Sequence, residues 1–172
     1  EWYERYGVRR YGFHGTSHRF ICEKMHDMLG EHKKIINCHI GNGASICAIK
    51  NGKSIATSMG FTPNAGIIMG SRSGDIDASL IPYVMKKSGM SISDIDTALN
   101  KKSGLLGISG VSSDSRDIED GIKSGNSRCE LAQKMYVDKI VNYIAMYYVE
   151  LGGADAIVFT AGVGENSARM RK

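Results

Sequence analysis

The amino-acid sequence, 172 residues long, predicts a mixed α/β domain, and three observations carry that expectation. Over residues 35–58 short apolar runs are broken by Gly41-Asn42-Gly43 and Asn51-Gly52, the pattern of a three-stranded β-meander. Over 128–151 apolar residues recur near helical spacing and stop at Gly152-Gly153. Over 155–160 the chain reads as a strand with no polar face, hence a central one. No internal repeat, linker or low-complexity stretch divides residues 1–172, so one continuous domain is expected.

The elements follow in order. Residues 17–29 have helical spacing through Phe20, Ile21, Met25, Met28 and Leu29, with Gly30 as the stop. The meander comes next, its second turn marked by Asn51-Gly52, the type I′ hairpin signal. Residues 77–87 read as a helix in which Pro82 either kinks the axis or marks the first turn. Ser91 and Asp94 form a capping box before Ile95, Ala98 and Leu99, a short helix closed by Ser103-Gly104. Another helix lies in the polar stretch around 117–124. In the long segment, Leu131, Met135, Ile140, Ile144, Tyr148 and Leu151 lie near 3.6 spacing, and its aromatic and Met side chains are expected in the core rather than on a cofactor.

Composition limits the function classes. With 42% hydrophobic and 23% charged residues the chain is ordinarily globular, and its +4 charge is spread among acids, which is no nucleic-acid footprint. Phosphorylated small molecules remain suitable partners. Cys22, Cys38, Cys47 and Cys129 show no metal-site spacing and are read as reduced thiols of a cytoplasmic protein. No apolar run approaches the roughly 20 residues that cross a bilayer, so no membrane partner is expected. The chain opens on Glu1 rather than Met and stops at Lys172, soon after an apparent helix start at Asn166-Ser167, which suggests a piece of a longer protein.

Five loops can carry chemistry. In the first meander turn, Gly41 and Gly43 are expected to take positive φ and let a phosphate approach bare backbone, with the Asn42 amide and Ser45 hydroxyl beside it; the other reading is a tight turn and no more. The turn Ala161-Gly162-Val163-Gly164-Glu165-Asn166-Ser167 after the last strand suits a nucleotide at a helix start, or else close helix–strand packing. His14 and His18 lie four residues apart at a helix start without the third ligand a zinc site needs, so His14 is read either as a donor to developing negative charge or as a buried, capped ring. Arg72, among small residues in Met69-Gly70-Ser71-Arg72-Ser73-Gly74-Asp75, is free to reach a phosphate or carboxylate, unless Asp75 pairs with it. Asp114 and Arg116, after a glycine-rich loop at 103–110, either hold a nucleoside or form a surface ion pair.

As an ordered set, YGFHGTSH, CHIGNGAS, TSMGFTP, MGSRSGDID, SGLLGISG, SSDSRD and IVFTAGVGENS resemble the acetate kinase (acetokinase) family through nearly the whole chain. The resemblance implies the actin, sugar-kinase and Hsp70-like ATPase fold, built of two ribonuclease-H-like lobes. This chain resembles the C-terminal, nucleotide-binding lobe, a three-stranded antiparallel meander plus a parallel strand and packing helices. The implied reaction is reversible phosphoryl transfer from ATP to acetate, giving acetyl phosphate and ADP with Mg²⁺. A propionate or butyrate kinase, or a non-catalytic nucleotide-binding module, is the alternative.

Carried over by motif, His14 and Arg72 resemble the pair that stabilises the transferring phosphoryl group. His39, Ile40, Gly41, Asn42 and Gly43 resemble the segment against the β- and γ-phosphates. Asp114, Ser115 and Arg116 match the loop around the nucleoside, and Gly162, Val163, Gly164, Glu165 and Asn166 the turn over adenine and ribose. The family's magnesium ligands, catalytic Asp and most of its carboxylate pocket have no counterpart here, so the chain alone is expected to be inactive. Asn64-Ala65, Ser71 and Ser115 depart from the family pattern without removing a proposed catalytic group. A homodimer is implied, with the helix at 128–151 as a candidate contact.

Overall fold

The computed structural model describes residues 1–171. The meander is present as β1 (Lys34–Ile40), β2 (Ala44–Lys50) and β3 (Lys53–Thr57), each antiparallel to the next. β4 (Ala156–Thr160) joins β1 in parallel, completing a mixed sheet of order β3-β2-β1-β4. Asn51 and Gly52, at φ 53° and 79°, adopt the left-handed pair that a type I′ turn requires.

Contrary to the expectation of a central strand, β4 lies at the sheet edge among the described residues. Its apolar character has another cause. Phe159 packs against the larger core while Val158 packs against Ile35, Cys47 and Ile49 on the opposite face, so apolar residues are wanted on both sides without a further strand.

The helices are α1 (Trp2–Tyr6), α2 (Gly15–Leu29), α3 (Leu80–Ser88), α4 (Ile92–Lys101), α5 (Gly104–Ser109), α6 (Ser115–Lys123), α7 (Ser127–Leu151), α8 (Ala161–Asn166) and α9 (Ala168–Arg171). The capping box of α4 forms as read, with Asp94 N–H donating to Ser91 Oγ at 3.2 Å and Ser91 N–H to Asp94 Oδ2 at 2.9 Å. Pro82 sits in the first turn of α3, where its missing N–H costs no helical bond.

Two expected loops are helices. The glycines of α5 serve close packing: a Cβ on Gly104 (φ 63°) would lie 2.1 Å from the Met69 carbonyl oxygen. The turn after β4 is itself α8, since Ala161 takes φ 66° and lets the strand run straight into a helix.

Alternation along the strands sorts the layers. Ile36, Cys38 and Ile40 of β1 with Ala44, Ile46 and Ala48 of β2 form the face packed by α7, whose Ala132, Tyr136, Ile140 and Tyr147 are buried there with α5 and α6 behind. The phase of α7 differs from the sequence expectation, because Leu131, Met135 and Tyr148 are exposed. Apolar residues also stand among the charged ones on its exposed side, so spacing alone does not reveal the buried stripe. The other sheet face carries Ile35, Asn37 and His39 of β1 and Ser45, Cys47 and Ile49 of β2, and α2 lies over it through His18, Cys22 and Met25. Phe20, Met28 and Leu29, whose spacing marked the helix, are exposed. The polar residues of this second face provide the site.

Candidate active site

One polar cluster connects α2 to the ends of β1 and β2. His14, the residue before α2, has φ 61° and ψ 25°, in the left-handed region that His enters more readily than most side chains. Ser45 Oγ, fully buried, lies 2.8 Å from His14 Nδ1 and 2.9 Å from His18 Nε2. His18 Nδ1 lies 2.8 Å from the side-chain nitrogen of Asn37, and His39 Nδ1 lies 2.8 Å from Ser17 Oγ. The His14 and His39 rings stack with centroids 4.0 Å apart. Burial above all, with His39 and Arg72 adding, lowers the pKa of His14 to about 4; burial, with His39 and His14 adding, lowers that of His18 to about 4. Burial also lowers His39. At neutral pH these rings are uncharged hydrogen-bonding groups, with no carboxylate among their partners.

Arg72 supplies the positive charge. Among the described residues no carboxylate pairs with its guanidinium; Nη1 donates to the Pro63 carbonyl at 3.3 Å and approaches Met69 Sδ at 3.7 Å. Asp75, the possible partner, is engaged elsewhere: it accepts from Gly66 N–H at 2.8 Å and from the Tyr143 hydroxyl of α7. That double anchor ties the Arg72 loop to the long helix. Arg72 and His14 converge above Gly43, where a Cβ would lie 3.2 Å from Arg72 Nη1 and 3.8 Å from His14 Nε2. Neither Gly43 nor Gly41 takes positive φ, so the expectation of left-handed glycines is corrected; Gly43 matters for the space it leaves between two donors.

Beside this point opens a cleft of about 630 Å³. It gathers Gly41 and Asn42 of the meander turn, Asp114, Ser115 and Arg116 at the start of α6, and Gly162, Val163 and Asn166 of α8. Asp114 caps α6 by accepting from Arg116 N–H at 2.9 Å, and the Arg116 guanidinium bonded to it holds its carboxyl down at about 2. The surface ion pair and the cleft wall are thus the same residues.

Other candidates are placed differently. Ile40 is core, Gly164 packs on Ile40 and Phe159, and the Glu165 carboxylate turns back to Thr160 Oγ1 and Ala161 N–H. His39 faces the histidine cluster rather than the cleft. Ser45, read as a phosphate donor, is sealed beneath His14.

The sequence reading missed Gly70, where a Cβ would lie 1.9 Å from Asn42 Oδ1 and 2.8 Å from the Ser113 carbonyl. That glycine brings three loops together. It also missed Ser113, Glu119 and Tyr136 in the cleft wall; only the glycine-rich run around Gly70 carried a signal. A second cavity, of about 550 Å³ between α2 and the strands, is floored by Ile35 and Ile49, and of the residues singled out for chemistry it gathers only His18.

The family model described as the acetokinase family matches residues 1–172. The acetate kinases of Shouchella clausii (strain KSM-K16) and Bacillus subtilis (strain 168) are each 54% identical over 175 positions, covering 100% of this chain and 44% of theirs. The crystal structure of Porphyromonas gingivalis acetate kinase matches with TM-score 0.96 and 50% identity over 98% of this chain and 43% of that one. A propionate kinase from Francisella tularensis subsp. tularensis SCHU S4 matches with TM-score 0.96 and 42% identity over 100% of this chain and 45% of its own. The chain therefore spans less than half the length of these relatives.

Proposed function

The chain belongs to the acetokinase family, and from that premise we propose that the protein it comes from transfers the terminal phosphoryl group of ATP reversibly to acetate, giving acetyl phosphate and ADP. One observation carries the assignment of roles: Arg72 Nη1 and His14 Nε2 meet over Gly43, the residue that follows Gly41 and Asn42 of the cleft wall. The cleft holds the nucleotide, with Asp114, Ser115 and Arg116 on one side of the nucleoside and α8 on the other. Gly41 and Asn42, with Gly43 beside them, form the segment along the phosphates, while His39 and Ile40 of the same stretch support it from the histidine cluster and the core. In this reading the chain is the nucleotide-binding, C-terminal lobe of the actin, sugar-kinase and Hsp70-like architecture. The carboxylate pocket lies in the remainder of the protein.

The chemistry suits these side chains. A carboxylate oxygen attacks the γ-phosphorus, the bond to the ADP oxygen breaks, and charge spreads over the equatorial oxygens. The carboxylate is already a nucleophile, so catalysis rests on alignment and charge stabilisation. Arg72 contributes a fixed positive charge and His14 a neutral N–H. Mg²⁺ prefers an oxygen shell, whereas the cluster offers imidazole nitrogens and hydroxyls, and among the described residues no group of His, Cys, Asp or Glu is placed to hold a metal.

The likeness to a propionate kinase keeps a longer carboxylate as a second reading. Among the described residues no helix is long and apolar enough to cross a membrane, and the four cysteines are free, in keeping with a cytoplasmic enzyme. The exposed Val141, Tyr148 and Val149 of α7 offer a face for a homodimer. The test is kinetic, on the full-length protein with acetate, propionate and butyrate. Arg72→Ala and His14→Ala should each lower kcat by on the order of 10²-fold or more. Turnover unaffected by either change removes these roles.

A further inference from the structure

We infer that Asn37, His18 and Ser45 form a one-way hydrogen-bond chain that holds His14 with its proton on Nε2, the nitrogen facing the space above Gly43. The direction follows from what each group can donate. The Asn37 amide nitrogen only donates, so His18 Nδ1, 2.8 Å away, accepts and carries no proton. Neutral His18 then holds its hydrogen on Nε2 and donates it to Ser45 Oγ at 2.9 Å. Ser45 has one hydrogen left to give, and His14 Nδ1 lies 2.8 Å away to accept it. His14 is thereby protonated on Nε2 alone.

The opposite orientation of the Asn37 amide would reverse every step and leave His14 Nε2 as a bare acceptor, repelled by phosphate oxygens. Burial decides between the two. Asn37 and Ser45 are fully buried, and Asn37 Oδ1 has no partner. In the reversed chain the atom without a partner would be the amide nitrogen with two hydrogens, and buried unsatisfied N–H groups are rarer than under-satisfied carbonyl oxygens. Low basicity supports a neutral ring, since burial lowers both His14 and His18 to about 4, and the hydrogen bonds then decide which nitrogen holds the proton. The groups facing His14 are His18, His39, Ser45 and Arg72, none of them an anion that would call for an imidazolium. Asn37, His18 and Ser45 are positioning residues: they touch no substrate, and they decide which face of His14 is a donor.

The catalytic consequence rests on the proposed phosphoryl transfer, whereas the tautomer does not. The experiment is a two-bond ¹H–¹⁵N correlation spectrum of the full-length protein labelled in its histidine rings, at pH 7.5, paired with a kinetic cycle. His14 should show a protonated Nε2 and a bare Nδ1; the reverse pattern overturns the proposal with no variant needed. In the cycle, Ser45→Ala should lower kcat roughly tenfold, the worth of one buried hydrogen bond. It should move each KM by less than about twofold and have no further effect on His14→Ala. An equal loss in the His14→Ala background would mean that Ser45 acts elsewhere, which also overturns the proposal. A parent protein without phosphoryl transfer would count against the reaction, and the ring spectrum would still decide the tautomer.

Discussion

Replacing Gly43 with Ala separates function from stability. The new methyl would stand 3.2 Å from Arg72 Nη1 and 3.8 Å from His14 Nε2. Gly43 is outside the left-handed region, so Ala adopts its backbone without strain, and its close contact is the end of a flexible side chain that yields by a few tenths of an ångström. Lower entropy of the unfolded chain favours Ala by about 0.4–1 kcal/mol, which offsets that adjustment, so stability should stay within about 1 kcal/mol of the parent. In the proposed reaction, however, the methyl fills the point where both donors would reach one phosphoryl oxygen. Losing that convergence should reduce kcat by on the order of 10²-fold. Thermal melts and initial rates on the same preparations measure both quantities. A Gly43→Ala enzyme with kcat within about threefold of the parent, a barrier change well under 1 kcal/mol, would show that the transferred group does not pass over Gly43.

Three further outcomes follow from the same geometry. Gly74→Ala is the converse: at φ 70° its Cβ would fall 2.6 Å from the Gly66 carbonyl oxygen and 2.7 Å from that of Ile67, so the melting point should fall by an amount matching roughly 1–3 kcal/mol, and an unshifted melt would refute the strain. Tyr143→Phe removes the hydroxyl that donates to Asp75 and should cost about 1 kcal/mol in urea titration, together with a several-fold lower kcat as the Arg72 loop loosens; unchanged values for both would show that the anchor is idle. His18 is only 6% exposed and its pKa lies near 4 against about 6.5 unfolded, so the unfolded chain takes up the proton first as pH falls. Stability is complete above pH 6.5 and lost between 6.5 and 4, by about 2 kcal/mol from pH 7 to 5. The urea midpoint of His18→Gln should lose less over that interval; equal losses refute the assignment.

Features that rest on neighbouring residues were legible in the sequence: the Asn51-Gly52 turn, the Ser91–Asp94 box and the extent of α7. What escaped depends on distant chain. Gly104 is glycine because Met69 lies against it, and Asp75 avoids Arg72 because Tyr143 stands nearer, on α7. Ser45 looks like any hydroxyl after a glycine turn until strand alternation turns it beneath His14. The edge position of β4 was hidden for a related reason, since apolar residues on both faces record two covering layers and say nothing of neighbouring strands.

The pairing of β1 with β4 has a kinetic side. The meander can form from contacts close in sequence, but more than a hundred residues separate Ile40 from Ala156, and closing a loop of that length costs about 4 kcal/mol of chain entropy before any contact rewards it. α8 arrives with β4, so one wall of the cleft is set in place only when this slowest, longest-range closure is made. A ligand seated between the meander turn and α8 would hold the two ends of that loop together. It would slow the release of β4 more than it would hasten formation of the meander, and its signature would be a lower unfolding rate.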